Sequence, residues 1–522
     1  MVSQGTQQTP LRGLLSWRNS SPDSFRELVE RLDSLNLEIV IRTVGETEFL
    51  PTPDEHLALL PDFAVPDEWG RIGVSVAATR QFSLFEATPE FTRLKTEMLS
   101  MQNRNDFTGS FRVLEREVRI RRILLGVFTV LLEKNPDFAI FDVTPHDHIA
   151  VGVEGVLRWL GIPVLFFQPS LVGPQSLPRT SITEVFPYGI SSEIREEFAQ
   201  ELSEIVELAR GSVLRLESGG GTPKVSSQKQ REIRARTPRG RLKSLRFMLS
   251  RLSKGLHFPS VNFAGHTVLP PWFTRPLEVI LDWSLRRSLV TTIFSLPSQI
   301  PETQGKFALF ALHYEPERCS IPEGYPYSSQ VDAVIRARAL LPDNVVLIVK
   351  EHFSQSAAAL RGTLGRSPET YRMLEHIPGV KVLGIKANTP ELITRAECVF
   401  TLTGKVGIES ALKGTPVVFG GQPWWGDMPG AAPLPRFATA SDLAAFLESP
   451  RPSRDEVFDW LSDQFANTLV PVLGDATVER YSERISSLPT RFAELQLEVL
   501  VEVIQAFLTQ KVRPMKTRKK TA

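Results

Sequence analysis

Thr401 to Gly421 reads TLTGKVGIESALKGTPVVFGG. An apolar run ends in a small polar turn, a short amphipathic stretch follows, and a second apolar run closes the segment. That order predicts a strand, a turn and a helix from about Lys405 to Leu412, with Lys413 and Gly414 as the stop signal. Gly404 is expected to give the turn access to φ > 0. Helix-start N–H groups, the helix dipole and Lys405 together favour a phosphate, and the Thr403 hydroxyl adds a donor. Glu409, one turn in, is placed to accept hydrogen bonds from a ribose. Gly407 and Ser410 complete the small polar set of this candidate anion-binding loop. The stretch is not a Walker loop: no glycine stands five residues before Gly404, and Val406 occupies the place of the magnesium-holding Ser or Thr. The competing reading is a plain strand–helix–strand connection.

Three other stations end apolar runs. VLIVKEHFSQS brings Lys350, Glu351 and His352 to the carboxyl end of a buried strand, the edge where open α/β sheets bind ligands. Lys350 and His352 suit a phosphate, with Ser354 and Gln355 adding hydrogen bonds. FALFALHYEPE ends in His313, Tyr314, Glu315 and Glu317. FAIFDVTPHDH ends in Asp142, followed by His146, Asp147 and His148. The last cluster is open to two readings, metal ligands or a helix start with Asp147 favoured by the dipole. Asp142, His146 and Glu317 are the candidate acids and bases, since His titrates near neutrality. No metal or other cofactor is expected.

The elements that must hold these stations are legible as apolar, β-rich runs: LEIVIR, FAIFDV, PVLFFQ, FALFAL, VVLIVK, VKVLGI, CVFTLT and TPVVFG. Segments with helical spacing, such as 22–35 and 149–160, lie between most of them. Strands of this kind alternating with helices predict parallel sheets covered on both faces, an α/β fold of two Rossmann-like domains facing a cleft. The expected division is 1–210 for an amino-terminal Rossmann-like domain, 211–255 for a flexible basic linker, 256–440 for a carboxyl-terminal Rossmann-like domain, and 441–522 for a helical segment with a basic tail.

At 522 residues the chain is too long for one ordinary core. Its net charge of +1 gives no global pull toward nucleic acid. From 224 to 254 the only acid is Glu232 among many Lys and Arg, and Leu242, Leu245, Leu249 and Leu252 fall at helical spacing. A basic amphipathic helix of this kind either lies on an anionic membrane surface or packs its leucines on the protein. Cys319 and Cys398 are the only cysteines and form no ligand spacing, which fits a reducing cytoplasm. The first residues lack the apolar core of a secretory signal, and no run approaches the roughly 20 apolar residues of a membrane span. The expected location is the cytoplasm, peripheral on the inner membrane face.

The ordered set FALFALHYEPE, VLIVKEHFSQ and LITRAECVFTLTGKVGIESALKGTPVVFGGQPWWGDMPG resembles the capsule polysaccharide biosynthesis/export family. That family includes transferases of the acidic sugar Kdo and looks like GT-B glycosyltransferases. PDFAIFDVTPHDHIA, with LGIPVLFFQPS after it, is similar to the amino-terminal half of surface-polysaccharide members. The resemblance covers about residues 136–170 and 306–430. It implies that His352, Thr403, Gly404 and Glu409 bind the donor nucleotide, and that Trp424, Trp425 and Gly426 form an aromatic turn beside the cleft. Phe353 replaces the family's proline after the histidine, and Lys405, Ile408 and Ser410 depart from its Thr-Gly-Thr-Val-Gly-Trp-Glu-Ala pattern. The implied activity is transfer of a sugar, CMP-Kdo being one donor, to a capsular or other surface glycan or glycolipid. The alternatives are a non-catalytic polysaccharide-binding or export protein and a nucleotide-sugar 2-epimerase.

Overall fold

The computed structural model describes residues 10–17, 22–33, 35–43, 58–60, 73–102, 113–218, 284–300, 305–315, 317–327, 329–356, 362–474 and 487–515. The chain divides into two compact units: Met1–Lys95, Val118–Ala209 and Phe465–Ala522 form unit 1, and Thr96–Glu117 and Arg210–Gln464 form unit 2. Each is a Rossmann-like α/β body.

Unit 1 contains strands β1 (Leu11–Ser16), β2 (Leu37–Thr43), β3 (Ala58–Leu60), β4 (Phe138–Phe141), β5 (Val164–Pro169), β6 (Ser176–Ser181) and β7 (Glu184–Val185). Their order is β3-β2-β1-β4-β5-β6-β7. The first five strands are parallel, and β6 and β7 extend the sheet antiparallel. β1 escapes the sequence pattern because Arg12 and Gly13 interrupt its apolar run. Gly13 is required by packing, since a Cβ there would strike the Phe138 ring.

The carboxyl-terminal helix Phe492–Phe507 is no appendage. Phe492, Leu495, Val499, Leu500, Val503, Ile504 and Phe507 share one core cluster with Leu15, Phe138, Ile140, Leu165 and Phe167 of the sheet. Burying each such side chain contributes about 1.5–3 kcal/mol, so together they rival the entire net stability of a domain, about 5–15 kcal/mol. That burial is why 465–522 joins the amino-terminal unit, while the helices Ala440–Glu448 and Arg454–Asp463 fall in unit 2. The expected linker also starts later than 211, because the helix Ala199–Glu217 runs through its first residues. The rest of that linker, with the basic leucine-bearing stretch, and the basic tail lie outside the described residues.

Unit 2 contains β8 (Phe307–Ala311), β9 (Val346–Lys350), β10 (Val380–Leu383), β11 (Val399–Thr401), β12 (Val417–Phe419) and β13 (Ala431–Pro433). All run parallel in the order β10-β9-β8-β11-β12-β13. The chain starts at β8, winds outward through β9 and β10, then returns to the other side through β11. The reversal lies between β8 and β11. Crossover connections leave opposite ways there, so the loops splay apart and open a crevice at the carboxyl edge. Ala308, Leu309, Leu347, Ile348, Val399 and Val418 are wholly buried, which explains why these strands read as continuous apolar runs.

Candidate functional site

The reversal in unit 2 is built around His313, two residues past β8. The backbone N–H of Thr403, past β11, donates to His313 Nε2 at 3.2 Å, and Thr401 Oγ1 lies 3.1 Å from the same nitrogen. An N–H donor makes that nitrogen an acceptor, so the ring is the neutral Nδ1–H tautomer. The side-chain amide of Gln330 clamps the His313 backbone, accepting from its N–H at 2.7 Å and donating to its carbonyl at 3.3 Å. Gly404 lies against the ring: a Cβ there would be 3.1 Å from Cε1 and 2.9 Å from Thr401 Oγ1. The glycine is needed for this close approach. Its φ is not positive, contrary to the turn expected from the sequence; Gly414, which ends the helix Val406–Leu412, has the φ of +70°.

His352, past β9, mirrors His313. Its Nδ1 accepts the backbone N–H of Ser354 at 3.3 Å, which leaves the proton on Nε2. The Phe353 ring packs beside it, 4.7 Å between centroids. Burial, then the nearby charges of Lys350, His313, Lys405 and Arg366, lowers the His352 pKa from 6.5 to about 3. Burial, then Arg366, lowers that of His313 to about 4. Both rings are therefore neutral at pH 7, and each presents one N–H. Glu409 faces the same group: burial raises its pKa to about 7, against the opposing pull of Lys405, Lys413 and Lys350. Lys350 and Lys405 act on both His352 and Glu409, and His313 acts on His352.

Below this edge lies a buried ionic cluster that sequence reading missed. Arg366 pairs with Glu315, donates from Nε to Glu351 Oε2 at 3.2 Å, and donates from Nη2 to the His313 carbonyl at 3.1 Å. Tyr371 donates to Glu351 Oε2 at 2.7 Å. Burial opposes the Arg366 charge, but Glu315 and Glu351 outweigh it and raise its pKa. Gln355 ties the Glu315 backbone from both sides, with its Oε1 3.0 Å from the N–H and its Nε2 2.9 Å from the carbonyl. The loops after β8 and β9 are thus locked to each other. Arg366 has no periodic signature, since its position follows from packing alone.

Several expected donor ligands are redirected by these contacts. Glu351 is wholly buried and serves Arg366, Tyr371 and the N–H of His352, the last at 2.6 Å. It holds the loop rather than a nucleotide. Thr403 commits its N–H to His313 and its hydroxyl to the Cys319 carbonyl at 2.8 Å, so it has no proton to offer a phosphate. The Gly407 N–H is taken by the Gly404 carbonyl at 2.9 Å. Ser410 is buried and donates to the Thr415 carbonyl at 3.0 Å, closing the helix end. Trp424 and Trp425 are both buried, and Trp425 packs against Gly407 and edge-on to Phe419. Trp425 is a packing floor under the loop, and neither ring is an exposed stacking surface. Lys350 is 8% exposed and donates to the Glu351 carbonyl at 3.1 Å.

The candidate acids and bases are distributed over both units. Glu317 is exposed in unit 2, in the turn before Cys319. Glu317 stands two residues before Cys319, whose carbonyl accepts from the Thr403 hydroxyl at 2.8 Å, so it lies close to the loop after β11. Asp142 and His146 belong to unit 1. Asp142 is 2% exposed at the end of β4. His146 Nδ1 lies 2.8 Å from the Thr144 carbonyl, which puts the proton on Nδ1 and the basic lone pair on Nε2. Asp147 caps the helix His148–Trp159, accepting from the N–H groups of Ile149 at 3.0 Å and Ala150 at 2.9 Å. Among the described residues no group of three or more His, Cys, Asp and Glu is arranged to hold a metal, and no helix is long and apolar enough to cross a membrane.

No family model and no curated protein matches this chain. Solved structures that it resembles include the UDP-GlcNAc 2-epimerase of Methanocaldococcus jannaschii, at 12% identity over 84% of this chain and 92% of that one, with a TM-score of 0.21. The β-Kdo 2,7 transferase of Thermosulfurimonas dismutans KpsC is 17% identical over 42% of this chain and 67% of that one, with a TM-score of 0.21. The β-Kdo 2,4 transferase of the same organism's KpsC is 11% identical over 62% and 78%, with a TM-score of 0.26. Glycosyltransferases and nucleotide-sugar epimerases thus both stand among the distant structural neighbours, and likenesses this remote leave function to the geometry of the site.

Proposed function

We propose that this protein is a glycosyltransferase that takes a sugar from a nucleotide-sugar donor and passes it to a surface polysaccharide or glycolipid. One observation carries the reading. The neutral imidazole of His352, its proton fixed on Nε2, and two lysines gather at the carboxyl edge of the unit 2 sheet beside the strand-order reversal. As the glycosidic bond to phosphate breaks, negative charge grows on the leaving oxygen. Donors already oriented, with little water to reorganise, stabilise that charge more than solvent can. His352 Nε2–H and the Lys405 ammonium are assigned to the phosphate, and Lys350 adds to the positive field. Glu409 is assigned to the ribose, since a carboxylate against a phosphate would repel it. Glu317, Asp142 and His146 are the candidates for taking the acceptor's proton. Because lysines supply the positive charge, turnover is expected to persist in the presence of a chelator. The basic stretch 234–254 is assigned to an anionic inner leaflet, where a lipid-linked acceptor sits, each Lys or Arg adding about 1 kcal/mol.

The test is a panel of CMP-, UDP- and GDP-sugars, CMP-Kdo among them, scored for thermal stabilisation and then for transfer to capsular or lipid-linked glycans. Stabilisation by one nucleotide class with transfer supports the reading. Release of free epimerised sugar without an acceptor points to an epimerase. Glycan binding with no donor response points to a non-catalytic protein.

A further inference from the structure

We propose that His313 is the positioning residue of the donor loop, its Nε2 holding the Thr403 backbone and, through it, the place of Lys405. This rests on the reading of that loop as donor-binding. His313 is 7% exposed and anchored at four points: its N–H and carbonyl by Gln330, its carbonyl again by Arg366, and its ring by the Thr403 N–H. So rigid a ring is a fixed post. The loop after β11 is short, with only Thr403 and Gly404 between the residue following the strand and Lys405, the N-cap of the next helix. Fixing Thr403 therefore fixes the start of that helix. The hydroxyl of Thr403 adds a second tether to the Cys319 carbonyl. Gly404 lets the ring approach, because any side chain there would meet Thr401 Oγ1 and the imidazole. A neutral Nε2 lone pair does the holding, so the role belongs to an acceptor at that atom and not to a histidine as such.

Two substitutions separate the atoms. The amide of Gln reaches the place of Nε2, and that of Asn the place of Nδ1. His313→Gln can still accept from Thr403, whereas His313→Asn cannot. Two readouts apply to each variant: hydrogen exchange of the peptide containing the Thr403 amide, and calorimetric affinity for CMP, UDP and GDP. His313→Gln is expected to keep slow exchange and wild-type affinity. In His313→Asn exchange should quicken about tenfold, with a comparable loss of affinity, the scale of one buried hydrogen bond. Unchanged exchange in His313→Asn overturns the proposal. So does loss of affinity in His313→Gln with exchange still slow, which would make Nδ1–H a direct ligand. Exchange does not depend on a nucleotide. If no nucleotide binds wild type yet the exchange pattern holds, the positioning role stands and the donor reading falls. Should His313→Asn fail to fold, nitrogen NMR of wild type labelled at histidine decides: an unprotonated Nε2 is expected, and a protonated one overturns the assignment.

Discussion

The two sheets wind in the same order about their first strands, yet their reversal points carry different side chains. In unit 1 the edge between β1 and β4 carries the buried carboxylate Asp142, and the chain itself packs against it. The Asp142 N–H donates to the Ser16 carbonyl at 2.9 Å. The stretch before Gly474 lies across β6, where Ser176 pairs with Val470 and its hydroxyl donates to the Val472 carbonyl at 2.6 Å. A Cβ on Gly474 would sit 3.1 Å from the Asp142 carbonyl and 3.2 Å from that of Phe167. In unit 2 the same topological place is lined by His313, His352, Lys350 and Lys405. Among the described residues neither His313 Nδ1 nor His352 Nε2 has a protein partner. Winding order decides where polar loops meet. Which side chains arrive, and whether backbone already satisfies them, decides whether the meeting point can bind an anion.

The largest effect should come from the cluster beneath the unit 2 edge. Arg366→Met leaves two carboxylates, Glu315 and Glu351, without their cation. Removing one partner of a buried pair costs about 3–5 kcal/mol, to be read by chemical denaturation, and nucleotide affinity should be lost with it. Wild-type stability in that variant would mean that the unit 2 loops are not held by this network.

Next in size, Lys405→Ala should weaken nucleotide binding by about 1–3 kcal/mol, the range of a charge-assisted hydrogen bond. Asp142→Asn should lower transfer while calorimetry finds nucleotide affinity unchanged. Equal losses of affinity in both variants would erase the proposed assignment of nucleotide binding to unit 2 and proton transfer to Asp142.

Gly407→Ala and Gly13→Ala test one kind of packing in both units. The new methyl meets Trp425 in the first case and Phe138 in the second. Each should cost about 1–3 kcal/mol by overpacking, but only Gly407→Ala should also shift nucleotide affinity, because its helix carries Glu409. Equal shifts from both would show that the loss is general.

The remaining effect is pH-dependent. His313 and His352 have pKa values lowered from 6.5, chiefly by burial, to about 4 and about 3. The unfolded chain binds these protons first, so the stability tied to the neutral rings is complete above pH 6.5. It drains as pH falls through the folded values, by up to about 1.4 kcal/mol per unit for each ring. The charges facing them are Lys350, Lys405 and Arg366, with Glu315, Glu351 and Glu409 nearby. The difference in stability between wild type and His352→Gln, followed from pH 7 to 4, isolates one ring. A bound phosphate should flatten that difference, because its charge offsets the lysines.

The sequence by itself determined the fold class and most of the parallel strands. A strand buried on both faces must be apolar throughout, and LEIVIR, FAIFDV, PVLFFQ, FALFAL, VVLIVK, VKVLGI, CVFTLT and TPVVFG all become strands β2, β4, β5, β8, β9, β10, β11 and β12. It also determined the helix after Lys405 and its Gly414 stop, since these are local choices of backbone and cap. Strands β1 and β13 were not legible: LRGLLS and AAP are too short or interrupted for a period to show, and only their neighbours make them strands. The carboxyl-terminal helix could be read, but not its place in unit 1, because an apolar stripe does not name the surface it will cover. The roles of the polar residues were settled last. Glu351 and His352 are adjacent in sequence, yet one is sealed against Arg366 and the other faces the lysines. That division depends on Arg366, fifteen residues from Glu351, and no local pattern carries the position of a partner that only folding brings near.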